Sequence, residues 1–190
     1  MGALNPPDML ADLPTLETER LLLRKITMGD IEDIFAYASD PEVPKYMPWE
    51  PHRSLEDTKE YLARVLERYE QHWPGPWGIV HKGDGKLIGS CSFHSWNRDD
   101  RRIEMGYVLS RPYWGQGYMA EAVRAVIDFG FRALGLNRIE AMCEVPNTGS
   151  ARVMEKAGMT YEGTLRQYVF EKGTYRDLKI YSILRSQWIG

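Results

Sequence analysis

At 190 residues the chain is long enough for one domain with a substantial core. Apolar residues make up 43% and charged residues 27%, the balance of a soluble globular protein. A formal net charge of −3 argues against a nucleic-acid or membrane surface, and no apolar run approaches the roughly 18–20 residues that span a bilayer.

Residues 1–16 read as an irregular arm, with Pro6, Pro7 and Pro14 and neither the charged nor the apolar region of a signal peptide. Residues 17–190 read as a single domain. Arg20 to Ile26 is a first strand. Asp30 to Ser39 has helical spacing in Ile31, Ile34, Phe35 and Ala38. Pro41, Pro44, Pro48 and Pro51 forbid regular structure in the loop after it. Ser54-Leu55-Glu56-Asp57 is a capping signal for a helix running to about Gln71, and Trp73-Pro74-Gly75-Pro76 ends it.

Trp77 to Lys82 and Lys86 to His94 flank Gly83-Asp84-Gly85 as a β-hairpin, and Ser95 to Arg101 reads as a polar loop. Cys91 and Cys143 both fall in strand-like runs and lack metal-ligand spacing. They read as buried free thiols, which fits a reducing cytoplasm. Arg102 to Ser110 is a strand leading into Arg111-Pro112-Tyr113-Trp114-Gly115-Gln116-Gly117-Tyr118-Met119-Ala120 and then into a long helix ending near Leu134. Arg138 to Val145 is a strand and Asn147 to Ala157 a short helix stopped by Gly158. Met159 to Phe170 and Tyr175 to Leu184 form a closing hairpin. The expected class is α/β (α+β): a mixed, mostly antiparallel sheet around one central strand–helix–strand unit.

Two glycines at a helix start let backbone N–H groups approach a ligand, and the helix N-terminus adds unpaired donors and a positive dipole end. That is a phosphate site. Gly115-x-Gly117-x-x-Ala120 also fits a relaxed dinucleotide fingerprint, with Glu140 or Glu144 as the ribose acid. A doubly wound fold needs further β-α repeats after the motif, and the chain beyond Val145 reads mostly as antiparallel hairpin. A third reading is a turn that merely packs strand on helix.

Several segments together decide between these readings: Glu17-Thr18-Glu19-Arg20-Leu21, Glu104-Met105-Gly106-Tyr107, Tyr113 to Tyr118 with Glu121-Ala122, Asn147-x-x-Ser150-x-x-Val153-Met154-Glu155-Lys156-x-Gly158-Met159, and Glu162-Gly163-x-Leu165-Arg166. In order and spacing they resemble the GNAT superfamily of N-acetyltransferases, and within it the branch of the ribosomal-protein-alanine N-acetyltransferases (RimJ/RimL type). The resemblance runs from about Thr18 to Trp188. Three superfamily positions depart from pattern: Pro112 stands where Gln or Arg is usual, Met154 where many members place a tyrosine acid, and Met142 where some place a glutamate base.

The resemblance implies direct transfer of an acetyl group from acetyl-CoA, as co-substrate, to a primary amine: a protein N-terminus or a small molecule. The alternative is a non-catalytic acyl-CoA-binding or sensing domain, which the missing acid and base would suit. Trp114, Gly115, Gln116, Gly117, Tyr118, Met119 and Ala120 would offer N–H donors to the pyrophosphate. Tyr107, Val108 and Leu109 would pair with the pantetheine arm like an added strand, and Asn147 would hold that arm or simply cap a helix. Ser150 is the candidate acid, with backbone capping as its competing role. Glu104 is the candidate base, and strand alternation puts it on one face with Gly106 and Val108. An ion pair with Arg102 or Arg138 is its competing role. His94 is a second candidate base. The acceptor side is expected to be lined by Tyr46, Met47, Pro48 and Trp49 of the proline-rich loop, by His94, Ser95 and Trp96, and by Tyr168 and Phe170 near the last turn, with Trp49, His94 and Trp96 foremost. No metal is implied. An α-amino group titrates near 7.8 against 10.4 for lysine, a gap of roughly 3.5 kcal/mol, so an N-terminal acceptor needs only a weak base. The edge strands of the closing hairpin suit a homodimer.

Overall fold

The computed structural model describes residues 13–71 and 75–189. Asn5 to Pro7, most of the expected arm, and Trp73-Pro74 lie outside them. The described residues form one eight-stranded sheet: β1 (Leu16–Glu17), β2 (Leu21–Lys25), β3 (Trp77–His81), β4 (Leu87–Asn97), β5 (Arg102–Leu109), β6 (Arg138–Glu144), β7 (Thr160–Glu171) and β8 (Thr174–Leu184). Four α-helices cover it: α1 (Ile31–Ala38), α2 (Leu55–Glu70), α3 (Tyr118–Arg132) and α4 (Thr148–Lys156). The spatial order is β1-β2-β3-β4-β5-β6-β8-β7, antiparallel throughout except for β5 against β6.

Alternation divides the sheet into two faces. Leu21 and Leu23 of β2, Trp77 and Ile79 of β3, Ile103 and Met105 of β5, and Ile139 and Ala141 of β6 point into the larger core cluster, together with Val123, Val126 and Ile127 of α3 and Met154 of α4. Val80 and Leu87 point the other way and pack on Ile34, Tyr37, Leu62 and Val65 of α1 and α2. The capping signal at α2 holds: the Asp57 N–H donates to Ser54 Oγ at 3.4 Å, and the Ser54 N–H donates back to Asp57 Oδ2 at 3.0 Å. Leu16, expected at the end of the arm, joins Glu17 in a short edge strand on β2.

The parallel pair decides the fold's function. β5 and β6 keep register only at Arg102 with Arg138, Ile103 with Ile139 and Glu104 with Glu140. Beyond Glu104 the two strands part. On its other edge β5 stays paired with β4 up to Leu109, so the edge of residues 106–109 facing β6 lacks a strand partner.

One expectation at β4 needs correcting. The strand runs on to Asn97 instead of ending at His94, and Ser95 sits in it with φ +38°, where the register shifts. This bulge turns the next side chain to the opposite face. His94 stands across from Glu104, while Trp96 packs on the larger core.

Candidate active site

A cavity of about 480 Å³ opens where β5 and β6 part. Its walls are Gly106 to Leu109 of β5, Met142 and Cys143 of β6, the turn from Tyr113 to Gly117, and the start of α4. Of the residues expected to hold the cofactor, it gathers Tyr107, Val108, Leu109, Trp114, Gly115, Gly117, Met119, Ala120, Asn147 and Ser150. Gln116 and Tyr118 face away from it. The Gln116 side chain donates to the Pro112 carbonyl, and Tyr118 packs on His81 with ring centroids 4.9 Å apart.

The turn entering α3 is built for an anion. Gly115 and Gly117 take φ +76° and +84°, a region in which an L side chain is strained. Gly117 is the N-cap, and no side chain caps the helix, so its first amides are left for a ligand. Arg152 and Lys156, one turn apart on α4, add two cations to the cavity wall, and neither makes an ion pair among the described residues. Their four-residue spacing was visible in the sequence, but only the fold shows that it faces the cavity. A bare glycine cradle, flanking cations and an unpaired strand edge fit a long diphosphate cofactor with an amide-bearing arm.

The Ser150 side chain does not cap α4. Asn147 is the N-cap of α4, its Oδ1 accepting the Ser150 N–H at 3.1 Å. The Ser150 hydroxyl is therefore free of that task and lies 2.9 Å from the Tyr107 hydroxyl. Tyr107 was expected to offer its backbone to the cofactor or simply to pack. Burial drives its phenol well above the ordinary tyrosine range, so it stays a neutral hydrogen-bonding group behind Ser150. Met154, at the position of the superfamily tyrosine, is fully buried in the core.

Glu104 does not line the cavity; it lies two residues along β5 from Gly106, which does. Neither Arg102 nor Arg138 pairs with it among the described residues. Arg102 pairs with Glu140 at 2.9 Å, and Arg138 with Glu140 at 2.8 Å and Glu162 at 2.6 Å. Those bonds to Arg138 and Ser182 hold the Glu162 carboxyl at about 2. Burial first, and the Glu140 charge second, push the Glu104 carboxyl above the ordinary glutamate range, against a bond from Ser95. Glu104 is thus a half-buried carboxylate beside the cavity with no cation paired to it among the described residues.

Of the residues expected on the acceptor side, Tyr46 and Met47 line the cavity. Trp49, His94 and Trp96 lie off the cavity, whose loop wall is Val43, Tyr46 and Met47. Trp49 packs toward the α1–α2 cluster with its ring 5.8 Å from His52, and the Trp96 ring carries the Arg98 guanidinium at 4.9 Å. His94 lies against Gly106: a Cβ there would sit 2.5 Å from its Nε2. Burial lowers the affinity of its ring for a proton, with Arg68 acting in the same direction. The tip of the closing hairpin reaches this loop, where Lys172 Nζ donates to the Pro44 carbonyl at 2.9 Å.

Fold and site together define an acetyl-CoA-dependent N-acetyltransferase. Residues 20–160 match the model of the acetyltransferase (GNAT) domain, and the chain belongs to that family. It is 38% identical over 172 residues to the uncharacterized N-acetyltransferase YoaA of Bacillus subtilis, covering 90% of this chain and 97% of that one. It is 36% identical over 178 residues to the uncharacterized N-acetyltransferase p20 of Bacillus licheniformis, covering 94% and 100%. A crystal structure of a GNAT acetyltransferase from Bacillus anthracis superposes with TM-score 0.81 at 32% identity, covering 91% and 99%. The dinucleotide reading of the glycine turn is thereby set aside. No helix among the described residues is long and apolar enough to cross a membrane.

Proposed function

We propose that the protein moves the acetyl group of acetyl-CoA to a primary amine with Glu104 receiving the amine's proton and Ser150 returning one to the departing thiolate. The observation that carries this is Glu104: a half-buried carboxylate whose neighbouring arginines are both committed to Glu140. Two residues of strand span about 6.6 Å, so the proton crosses from the cavity through one water. Acetyl-CoA supplies the activated acyl group as a thioester. Backbone N–H groups of residues 106–109 hold its arm, and the amides at the start of α3 hold its phosphates, aided by Arg152 and Lys156.

The acceptor is a protein N-terminus or a small amine, in the manner of the RimJ/RimL branch. A spermidine N(1)-acetyltransferase from Vibrio cholerae is 25% identical to this chain over 171 residues, which supports including polyamines. The two free cysteines, both buried, support a cytoplasmic protein, and β7, at the outer edge of the sheet, supports pairing as a homodimer. Release of free thiol from acetyl-CoA is the test, run against peptides with Ala, Ser or Met N-termini, polyamines and aminoglycosides. Turnover with one class identifies the acceptor. Tight CoA binding without turnover on any of them would favour a sensing domain instead.

Ser150→Ala is expected to lower kcat about tenfold to a hundredfold while leaving the affinity for CoA within twofold, because the Ser150 backbone N–H still caps α4 on Asn147. An unchanged kcat would remove Ser150 from the chemistry.

A further inference from the structure

Two motifs of the sequence resemblance, 101 positions apart at Arg20 and Glu121, meet in one contact. Glu121, in the first turn of α3, receives three hydrogen bonds from the segment before β2. Its Oε1 accepts from Thr18 Oγ1 at 2.6 Å and from the Arg20 backbone N–H at 2.9 Å, and its Oε2 accepts from Arg20 Nε at 2.7 Å. Arg20 then reaches on into the glycine turn. Its Nη1 donates to the Gln116 carbonyl at 3.1 Å, and its guanidinium lies 4.3 Å from the centre of the Tyr118 ring. Tyr118 is held on its far side by His81, Nε2 to hydroxyl 3.1 Å.

The physical need for this contact is plain. A turn with two glycines at positive φ and no side-chain cap is held from within by the Gln116 side chain on the Pro112 carbonyl and the Trp114 indole on the Leu109 carbonyl, and Arg20 adds an anchor from outside it. In a trans peptide the carbonyl and the following N–H point in opposite directions. Pinning the Gln116 carbonyl to Arg20 therefore turns the Gly117 N–H away from Arg20, and Gly117 lines the cavity. Charge matters as well. A lone carboxylate in the first turn of α3 would repel a diphosphate at the same helix end, and Arg20 neutralises it. Burial works to raise the Glu121 carboxyl, but the bonds from Thr18 and Arg20 outweigh it and keep the group ionised.

We propose that Arg20 and Glu121 are positioning residues that hold the phosphate-binding turn in its ligand-ready shape and cancel the carboxylate's repulsion of the cofactor's diphosphate. The inference rests on acetyl-CoA occupying this cavity. It concerns only the part of the cofactor that carries phosphate, and this separates it from every merely structural role.

The test compares two acyl donors in kcat/KM: acetyl-CoA, and acetyl-pantetheine, which has the thioester and the arm but no phosphate. Arg20→Met is expected to lower kcat/KM about tenfold for acetyl-CoA, chiefly through KM, and to leave acetyl-pantetheine within twofold. Arg20→Lys, which keeps the charge but loses the forked donor, should fall between. Should Arg20→Met melt early in a thermal scan, Arg20→Lys carries the comparison of donors; Glu121→Gln, which removes the carboxylate together with its repulsion, should lose less than Arg20→Met with acetyl-CoA and leave acetyl-pantetheine within twofold. Equal losses with both donors, or no loss with either, would overturn the clamp. A wild-type protein that fails to bind CoA by calorimetry would instead overturn the donor assignment on which the clamp rests.

Discussion

Glu104→Gln is expected to reduce kcat about a hundredfold or more while the KM for acetyl-CoA stays near the wild-type value, since the general base is lost and the cofactor's contacts are kept. The pH profile should carry the clearer signature. Wild-type kcat should climb along an acid limb whose midpoint lies above the ordinary glutamate range, because burial and Glu140 both hold the proton on Glu104. The glutamine variant should lose that limb. Stability should move the opposite way from activity. A carboxyl whose folded-state pKa is raised contributes stability that is present at low pH and is lost as pH rises through the folded value. Glutamine has no such loss. The difference in Tm between variant and wild type should therefore shift in the variant's favour between pH 4 and pH 7. A variant that gains stability and loses turnover identifies a charge kept at a cost for chemistry. Full kcat in Glu104→Gln at every pH would dismiss Glu104 as the base and leave His94, the other titratable group against Gly106, to be tested by His94→Gln.

The elements were legible because their punctuation is local. Gly83-Asp84-Gly85 marks a hairpin, Ser54 and Asp57 form a capping box, and Gly158 at φ +89° stops α4 where a left-handed residue was needed. The cavity was legible for the same reason. Strand, glycine turn and helix succeed one another in the chain, and the loss of β5–β6 pairing after Glu104 exposes the residues expected to meet the cofactor. The features that escaped had no local signal. Ser95 takes a left-handed conformation that serine seldom adopts, and this one residue sends Trp96 away from the face that His94 occupies. Leu16–Glu17 is a strand because β2 offers an edge, not because two residues prefer it. Tyr46 and Met47 were named with Trp49 from the same loop, but that Trp49 stays off the cavity depends on a loop course set by contacts such as Lys172 with Pro44, 128 positions apart. The fate of Glu104 was undecidable from composition. Two arginines stood within reach in the sequence, and only the geometry shows both of them given to Glu140.

Gly89→Ala should cost about 2–3 kcal/mol of stability, the upper part of the range for forcing extra volume into a packed site. For a domain of this size that is a fall of about 5–10 °C in Tm. Gly89 stands opposite Leu109 at the far end of the β4–β5 ladder. A Cβ there would fall well inside van der Waals contact distance of the Val108 carbonyl oxygen, with the Leu109 Cα only 3.1 Å away. Both neighbours are backbone, so no flexible side chain can swing aside, and the strain must be taken by the end of β5. That end is the edge of residues 106–109 that lines the cavity. The stability loss should therefore come with a higher KM for acetyl-CoA, measured well below the melting range. Gly85→Ala is the proper control. Its φ of +67° makes alanine strained there too, by about 1–2 kcal/mol, but it lies in the β3–β4 turn with open space around the position of a Cβ. It should lower Tm without raising KM. If the two variants differed only in Tm, the β5 strand end would not be where the cofactor's arm is held. A separation in KM would place that arm against Val108 by an observation independent of the glycine turn.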